Sequence, residues 1–150
     1  MRELDKAQEH FLGYWFSGFM KGLEQVDEKA QHVILKTCGL ACARSYTVEV
    51  FRQAKEKSND LDSFLEKLAK RFPEAEYKRI DEATIEVSYQ ECACDLVKNG
   101  WIQSALLCKC SVYNLERNFK EALEKPVQVK LKSSILAGAE QCLFEVVFLG

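Results

Sequence analysis

Four cysteines crowd into "ECACDLVKNGWIQSALLCKCS", residues 91–111, as two C-x-C pairs, Cys92/Cys94 and Cys108/Cys110. In an extended chain residues i and i+2 face the same way, so each pair points two thiols at one centre. Two such pairs make a four-sulfur set that suits tetrahedral zinc or an iron–sulfur cluster. The 13 residues between Cys94 and Cys108 are enough to bring the chain back to the same point. Cys92, Cys94, Cys108 and Cys110 are therefore the candidate metal ligands, and zinc is the candidate ion. Zinc sites more often use C-x2-C knuckles, so two other readings stay open. The thiols line a reactive pocket, or they are buried as small apolar side chains.

The remaining chemistry-bearing residues are sparse. Cys38 and Cys42 stand four apart in "CGLACARSY" and share a face if the helix is continuous. A thiol near a helix N-terminus has a lowered pKa and is nucleophilic. The plainer reading is two core-facing cysteines. Cys142, beside Leu143 and Phe144, reads as a core residue. The two histidines, His10 and His32, are lone residues on helical stretches. No H-x-x-x-H, G-x-S-x-G, P-loop or G-x-G-x-x-G pattern occurs, so no local motif supports a histidine-based hydrolase.

The chain that must position these groups has 150 residues, of which 47% are hydrophobic and 29% charged, as expected for one globular domain spanning 1–150. A net charge of -2 and a pI near 5.8 exclude a broad attraction to nucleic acid or to an anionic membrane. The start, "MRELDKAQEH", is charged, and the apolar patch "FLGYWFSGFM" is too short and glycine-broken to span a bilayer. These features predict a cytoplasmic protein without nucleic-acid or membrane partners. There, an odd count of seven cysteines favours metal binding or thiol chemistry over a disulfide framework.

Hydrophobic periodicity supplies the elements. Leu4, Phe11, Leu12, Trp15, Phe16, Phe19, Met20 and Leu23 predict an amphipathic helix over residues 3–24. Its aromatic load is large for one face of a small domain and predicts a homodimer. Gly13, Gly18 and Gly22 lie off the stripe and either admit a neighbouring backbone or leave the helix uneven. Asp27 is a candidate N-cap for a second helix, which Gly39 would end or bend, and a third helix follows over 40–56. "SNDLDSFLEKLAKRFP" predicts a capped helix stopped before Pro73. "EYKRIDEATIEVSYQ" predicts a hairpin, because Ile85, Val87 and Tyr89 alternate with polar residues. Ser111 is the candidate N-cap of a helix carrying Val112, Leu115, Phe119 and Leu123. "VQVKLKSSIL" and "CLFEVVFL" predict a second hairpin. Helices, hairpin, helix, hairpin add up to an α+β domain: a four-stranded antiparallel sheet covered by helices. Its N-terminal half, 1–72, is helical, and 73–150 carries the strands.

The second half also resembles a known family. "YQECACDLVKNGWIQSALLCKCS" and "FKEALEKPVQVKLKSSILAGAEQCLFEVVF", with "CGLACA" at 38–43, look like the L-2-amino-thiazoline-4-carboxylate hydrolase-like proteins over about residues 30–150. The last third is more distantly similar to the 4-vinyl-reductase-like domain, a small-molecule-binding module related to trafficking-complex subunits. The resemblance implies a helix-covered antiparallel sheet, a homodimer and a ligand pocket between helices and sheet.

Two functional readings follow. One is a small-molecule-binding domain with a cysteine-rich, metal-holding or thiol-lined site. The other is a hydrolase of a small cyclic amidine, acting on a non-peptide C–N bond through a cysteine nucleophile or metal-activated water. There, Cys42 and Glu140 are the candidate nucleophile and acid/base. Arg44 would hold a substrate carboxylate with its guanidinium fork, and Tyr89 and Trp101 would wall the pocket. A third reading, a non-catalytic dimeric interaction subunit built around the first helix, predicts no ligand.

Overall fold

A computed structural model describes residues 3–150. Helix α1 spans Lys6–Gln25. It starts at a reciprocal cap: the Gln8 N–H donates to Asp5 Oδ1 at 2.9 Å, and the Asp5 N–H donates to Gln8 Oε1 at 2.9 Å. Helix α2, Glu28–Cys42, starts where the Ala30 N–H donates to Asp27 Oδ1 at 2.8 Å.

Gly39 does not end this helix, which runs on to Cys42. The chain runs on through a π-turn, Ala43–Thr47, into α3, Val48–Glu56. In that turn the Val48 N–H reaches back to the Ala43 carbonyl. The Ser45 hydroxyl donates to the Cys42 carbonyl at 2.6 Å. The extra residue of a π-turn re-phases the helix, so that Leu35 and Gly39 before it and Thr47, Val50 and Phe51 after it are all buried. Helix α4, Leu61–Arg71, is capped by Asp60 and closes before Pro73.

Strands β1 (Ala75–Arg79), β2 (Thr84–Tyr89), β3 (Val127–Ser133) and β4 (Cys142–Phe148) form one antiparallel sheet in the order β1-β2-β4-β3. Helix α6, Cys108–Leu123, crosses over the sheet between the hairpins, as the order of the predicted elements requires. A short helix α5, Asp95–Lys98, lies in the connection before it.

The sheet has one dry face. Ile85 pairs with Val146, Val87 with Phe144, and Val129 with Val146. These side chains are buried against Phe51, Phe64, Leu68, Leu115 and Phe119. Phe119 meets Phe51 edge-on at 5.2 Å and Phe64 at 6.2 Å, an aromatic geometry that adds to area burial. The other face is wetter: Lys78, Glu86, Glu145 and Lys130 follow one another across the four strands.

A second, smaller core joins Met20 and Leu23 of α1 to Leu35 of α2 and Ile102. On the far side of α1, Phe11, Tyr14, Trp15 and Phe19 are exposed. No helix among the described residues is long and apolar enough to cross a membrane.

Candidate functional site

The site is built where α2, the 90–94 segment, the start of α6 and the start of β4 come together. Its first requirement is a close helix crossing. A Cβ on Gly39 would stand 2.5 Å from the Cys110 carbonyl oxygen and 2.9 Å from Tyr113 Cβ. Only a glycine lets α2 and α6 approach this far, and the approach sets Cys38 and Cys42 beside Cys110.

All seven cysteines carry free thiols. Cys110 feels Cys38, Cys94, Cys42 and Cys108; Cys108 feels Cys142, Cys92 and Cys94; Cys42 feels Cys94. The group runs from surface to core. Cys38 and Cys42 are exposed, Cys92, Cys94 and Cys110 half-buried, and Cys108 and Cys142 buried. The inner end is tied down: Cys108 Sγ and Ser134 Oγ are 3.0 Å apart, and the Ile135 N–H donates to Cys142 Sγ at 3.3 Å.

Burial sets the protonation state. It is the largest cause raising the Cys110 thiol to about 12, with the neighbouring thiols adding to it. Burial likewise comes first in raising Cys42, followed by Cys94, while a hydrogen bond from Asn114 partly offsets it. Cys42 is exposed over the residue as a whole, so its shift reflects crowding at the thiol end. Cys94 and Cys108 move up for the same first reason. At neutral pH these four are therefore neutral thiols, a weakly polar surface.

The two C-x-C pairs do not act as twin pincers. Cys108 and Cys110 lie in the first turn of α6, where residues two apart diverge by roughly 200°. The expectation of a common direction assumed an extended chain. Instead Cys108 turns to Ser134, and Cys110 packs in the α1-side core. Among the described residues no group of three or more His, Cys, Asp or Glu side chains stands ready to hold a metal ion.

Beside Cys42 the π-turn and α6 share a closed hydrogen-bond ring. Thr47 Oγ1 donates to Asn118 Oδ1 at 3.2 Å, Asn118 Nδ2 to Asn114 Oδ1 at 3.0 Å, and Asn114 Nδ2 to Thr47 Oγ1 at 3.2 Å. Sequence reasoning missed this ring. Its signal was two asparagines four apart among Leu115, Phe119 and Ala122.

The other candidate residues scatter. Tyr89 ends β2 opposite Cys142, meets Phe144 edge-on at 6.1 Å, and has its phenol raised by burial first and then by Glu74, Cys142, Tyr46 and Cys42. It therefore borders the thiol group. Arg44 is exposed in the π-turn and forms no ion pair among the described residues. Glu140 is exposed in the loop before β4. Trp101 lies against α1, away from the thiols, in the wall of a trough: its ring stacks on Phe16 at 5.9 Å, and its Cδ1 lies 3.7 Å from where a Gly13 Cβ would stand.

Two hollows lie elsewhere on the surface, and neither is lined by a cysteine. An open trough of about 970 Å³ runs between α1 and residues 99–104. A smaller one of about 380 Å³ lies between α2 and α6, where Tyr113 Oη and His32 Nδ1 are 2.6 Å apart.

No family model and no curated protein matches this sequence. Solved structures do match. The phenol-responsive sensory domain of the transcription activator PoxR, solved with phenol, superposes with a TM-score of 0.62 at 13% identity, over 99% of this chain and 76% of that one. Trafficking protein particle complex subunit 3 from Naegleria fowleri, solved covalently bound to palmitic acid, gives 0.54 at 14% identity, over 97% and 98%. At these identities the shared property is the fold, a helix-covered four-stranded antiparallel sheet. That fold agrees with the distant likeness to a module related to trafficking-complex subunits.

Proposed function

We propose that this chain is a small-molecule-binding domain of the sensory type, with its ligand seat at the thiol-lined junction of α2, α6 and β4. What supports this is a set of seven free thiols on four neighbouring elements, four of them held neutral by their surroundings. Neutral thiols beside the half-buried Tyr89 suit a small, weakly polar, aromatic-type ligand better than an ion. The fold-level likeness to a domain solved with phenol supports the same reading.

Binding is favoured over turnover for a physical reason. A raised thiol pKa at Cys42 leaves little thiolate at neutral pH, and a cysteine nucleophile acts as thiolate. The amidine-hydrolase reading also needs Glu140, an exposed loop residue, at the same reacting atom. We place the domain in the cytoplasm, where the thiols stay reduced. We further propose that a second copy covers the outer face of α1, where Phe11, Tyr14 and Trp15 stand exposed.

The test is thiol protection. Phenol and cresols at millimolar concentration should slow alkylation of Cys42 and Cys110 several-fold, with a rise in melting temperature. Unchanged alkylation and melting with every phenol tried would defeat the reading.

A further inference from the structure

Residues 95–107 join the two C-x-C pairs, and the same residues hold α1. Trp101 stacks on Phe16 at 5.9 Å. Ser104 Oγ donates to Glu24 Oε1 at 2.9 Å. Ile102 is buried with Met20, Leu23 and Leu35, and Leu96, Leu106, Leu107 and Cys110 pack around them. Cys110 thus belongs to both the thiol group and the small core under α1.

The connection from the thiols to Trp101 is stiff. The Val97 and Lys98 N–H groups donate to the Cys94 carbonyl at 3.0 and 2.9 Å. The Trp101 and Ile102 N–H groups both donate to the Leu96 carbonyl at 3.0 and 3.1 Å. A displacement at Cys94 is therefore carried by backbone hydrogen bonds to the residues that grip α1.

The grip itself is weak relative to the rest. Among the described residues the core under α1 has four buried side chains, against fifteen in the core under the sheet. Gln31 adds one more tie, its Nε2 donating to the Leu23 and Val26 carbonyls at 3.0 and 3.2 Å. A unit with so few buried contacts opens before the global fold does.

We propose that segment 94–107 couples the thiol site to α1. Occupancy or modification at Cys94 and Cys110 shifts α1 from docked to released. The natural trigger rests on the ligand-binding reading above; the mechanical coupling does not. A trigger moves the balance only by the difference in its affinity for the two states. Bulk at Cys110 supplies that difference, because Cys110 packs against the small core that holds Met20, Leu23 and Ile102 together.

The experiment uses the full chain and methyl methanethiosulfonate. The cysteine thiolate attacks the reagent's sulfenyl sulfur, a methyl disulfide forms, and methanesulfinate leaves. Hydrogen exchange is then read in α1 and in α4. The expected result is exchange at least about tenfold faster across α1, with α4 unchanged. A Cys94→Ser/Cys110→Ser variant, with its other thiols still modified, should lose the effect. Trp101→Ala should release α1 without reagent. If Cys94 or Cys110 resists modification, Cys110→Met adds bulk at the same point and must give the same acceleration. Unchanged α1 exchange with both thiols modified, or in Cys110→Met where they resist, overturns the coupling. So does equal acceleration in α1 and α4. Failure of phenol to protect the thiols would leave this result untouched, so the two ideas fail separately.

Discussion

Gly39 and Cys110 are in backbone contact: a Cβ added to Gly39 would sit 2.5 Å from the Cys110 carbonyl oxygen. That oxygen is backbone and cannot swing away. Gly39→Ala must push α6 off α2, although alanine is the better helix former. We expect a loss of about 1–3 kcal/mol, as for other overpacked sites, read as a lower denaturant midpoint at unchanged slope. Cys38 and Cys42 should then alkylate faster. A neutral or stabilising Gly39→Ala would show that the helices can separate at no cost.

That glycine marks where legibility ended. Most elements were readable because their periodicity is strong: the stripe of α1, the capped α4, and the alternation of Ile85, Val87 and Tyr89. Gly39 looked like a helix end because local propensity cannot see α6 arriving. Ser111 looked like a cap, yet α6 begins at Cys108, after a short turn in which the Leu106 N–H donates to Ser104 Oγ at 3.3 Å. That three-residue shift turned an extended C-x-C into a helical one and split the directions of its thiols. Trp101 was readable as a pocket wall, and it lines the trough beside α1, but nothing in its own neighbourhood names Phe16 and Gly13 as its partners.

The Thr47–Asn114–Asn118 ring should be costly to open. Asn118 is buried, and its amide both accepts from Thr47 and donates to Asn114. Asn118→Leu removes both bonds and leaves Thr47 and Asn114 without those partners. We expect about 2–4 kcal/mol of destabilisation from two lost buried bonds. Thr47→Val likewise removes two of the three ring bonds, leaving Asn118 Oδ1 and Asn114 Nδ2 without those partners, and should cost a similar amount. Equal, small effects below about 0.5 kcal/mol in calorimetry would mean that water replaces the lost partners.

The outer face of α1 makes a separate prediction. If a second copy covers Phe11, Tyr14 and Trp15, sedimentation at micromolar concentration should give twice the 17.2 kDa chain mass. Trp15→Glu should return it to the chain mass with the fold intact, because Trp15 is exposed and outside both cores. A wild-type mass of 17.2 kDa across that range would rule out the pairing.

The thiols predict an alkaline weakness with a definite sign. An unfolded cysteine ionises near about pH 8.5, whereas Cys110 in the fold holds its proton to about 12. Between those values the folded chain binds more protons than the unfolded one, so stability falls as pH rises. Below about pH 8.5 both states hold the proton, and the contribution is fully present. Cys42, Cys94 and Cys108 are raised too, so they add to the same slope. The denaturation midpoint should be flat from about pH 6 to 8 in this respect, then fall progressively. Cys110→Ala should flatten part of the fall. The same shift protects the thiol itself, because iodoacetamide reacts with thiolate. At pH 8, Cys110 should alkylate at least about a hundredfold more slowly than free cysteine, read by mass spectrometry of its peptide. An alkylation rate equal to that of free cysteine would mean that the site is open or ionised, and that the neutral thiol lining proposed for the ligand seat is absent.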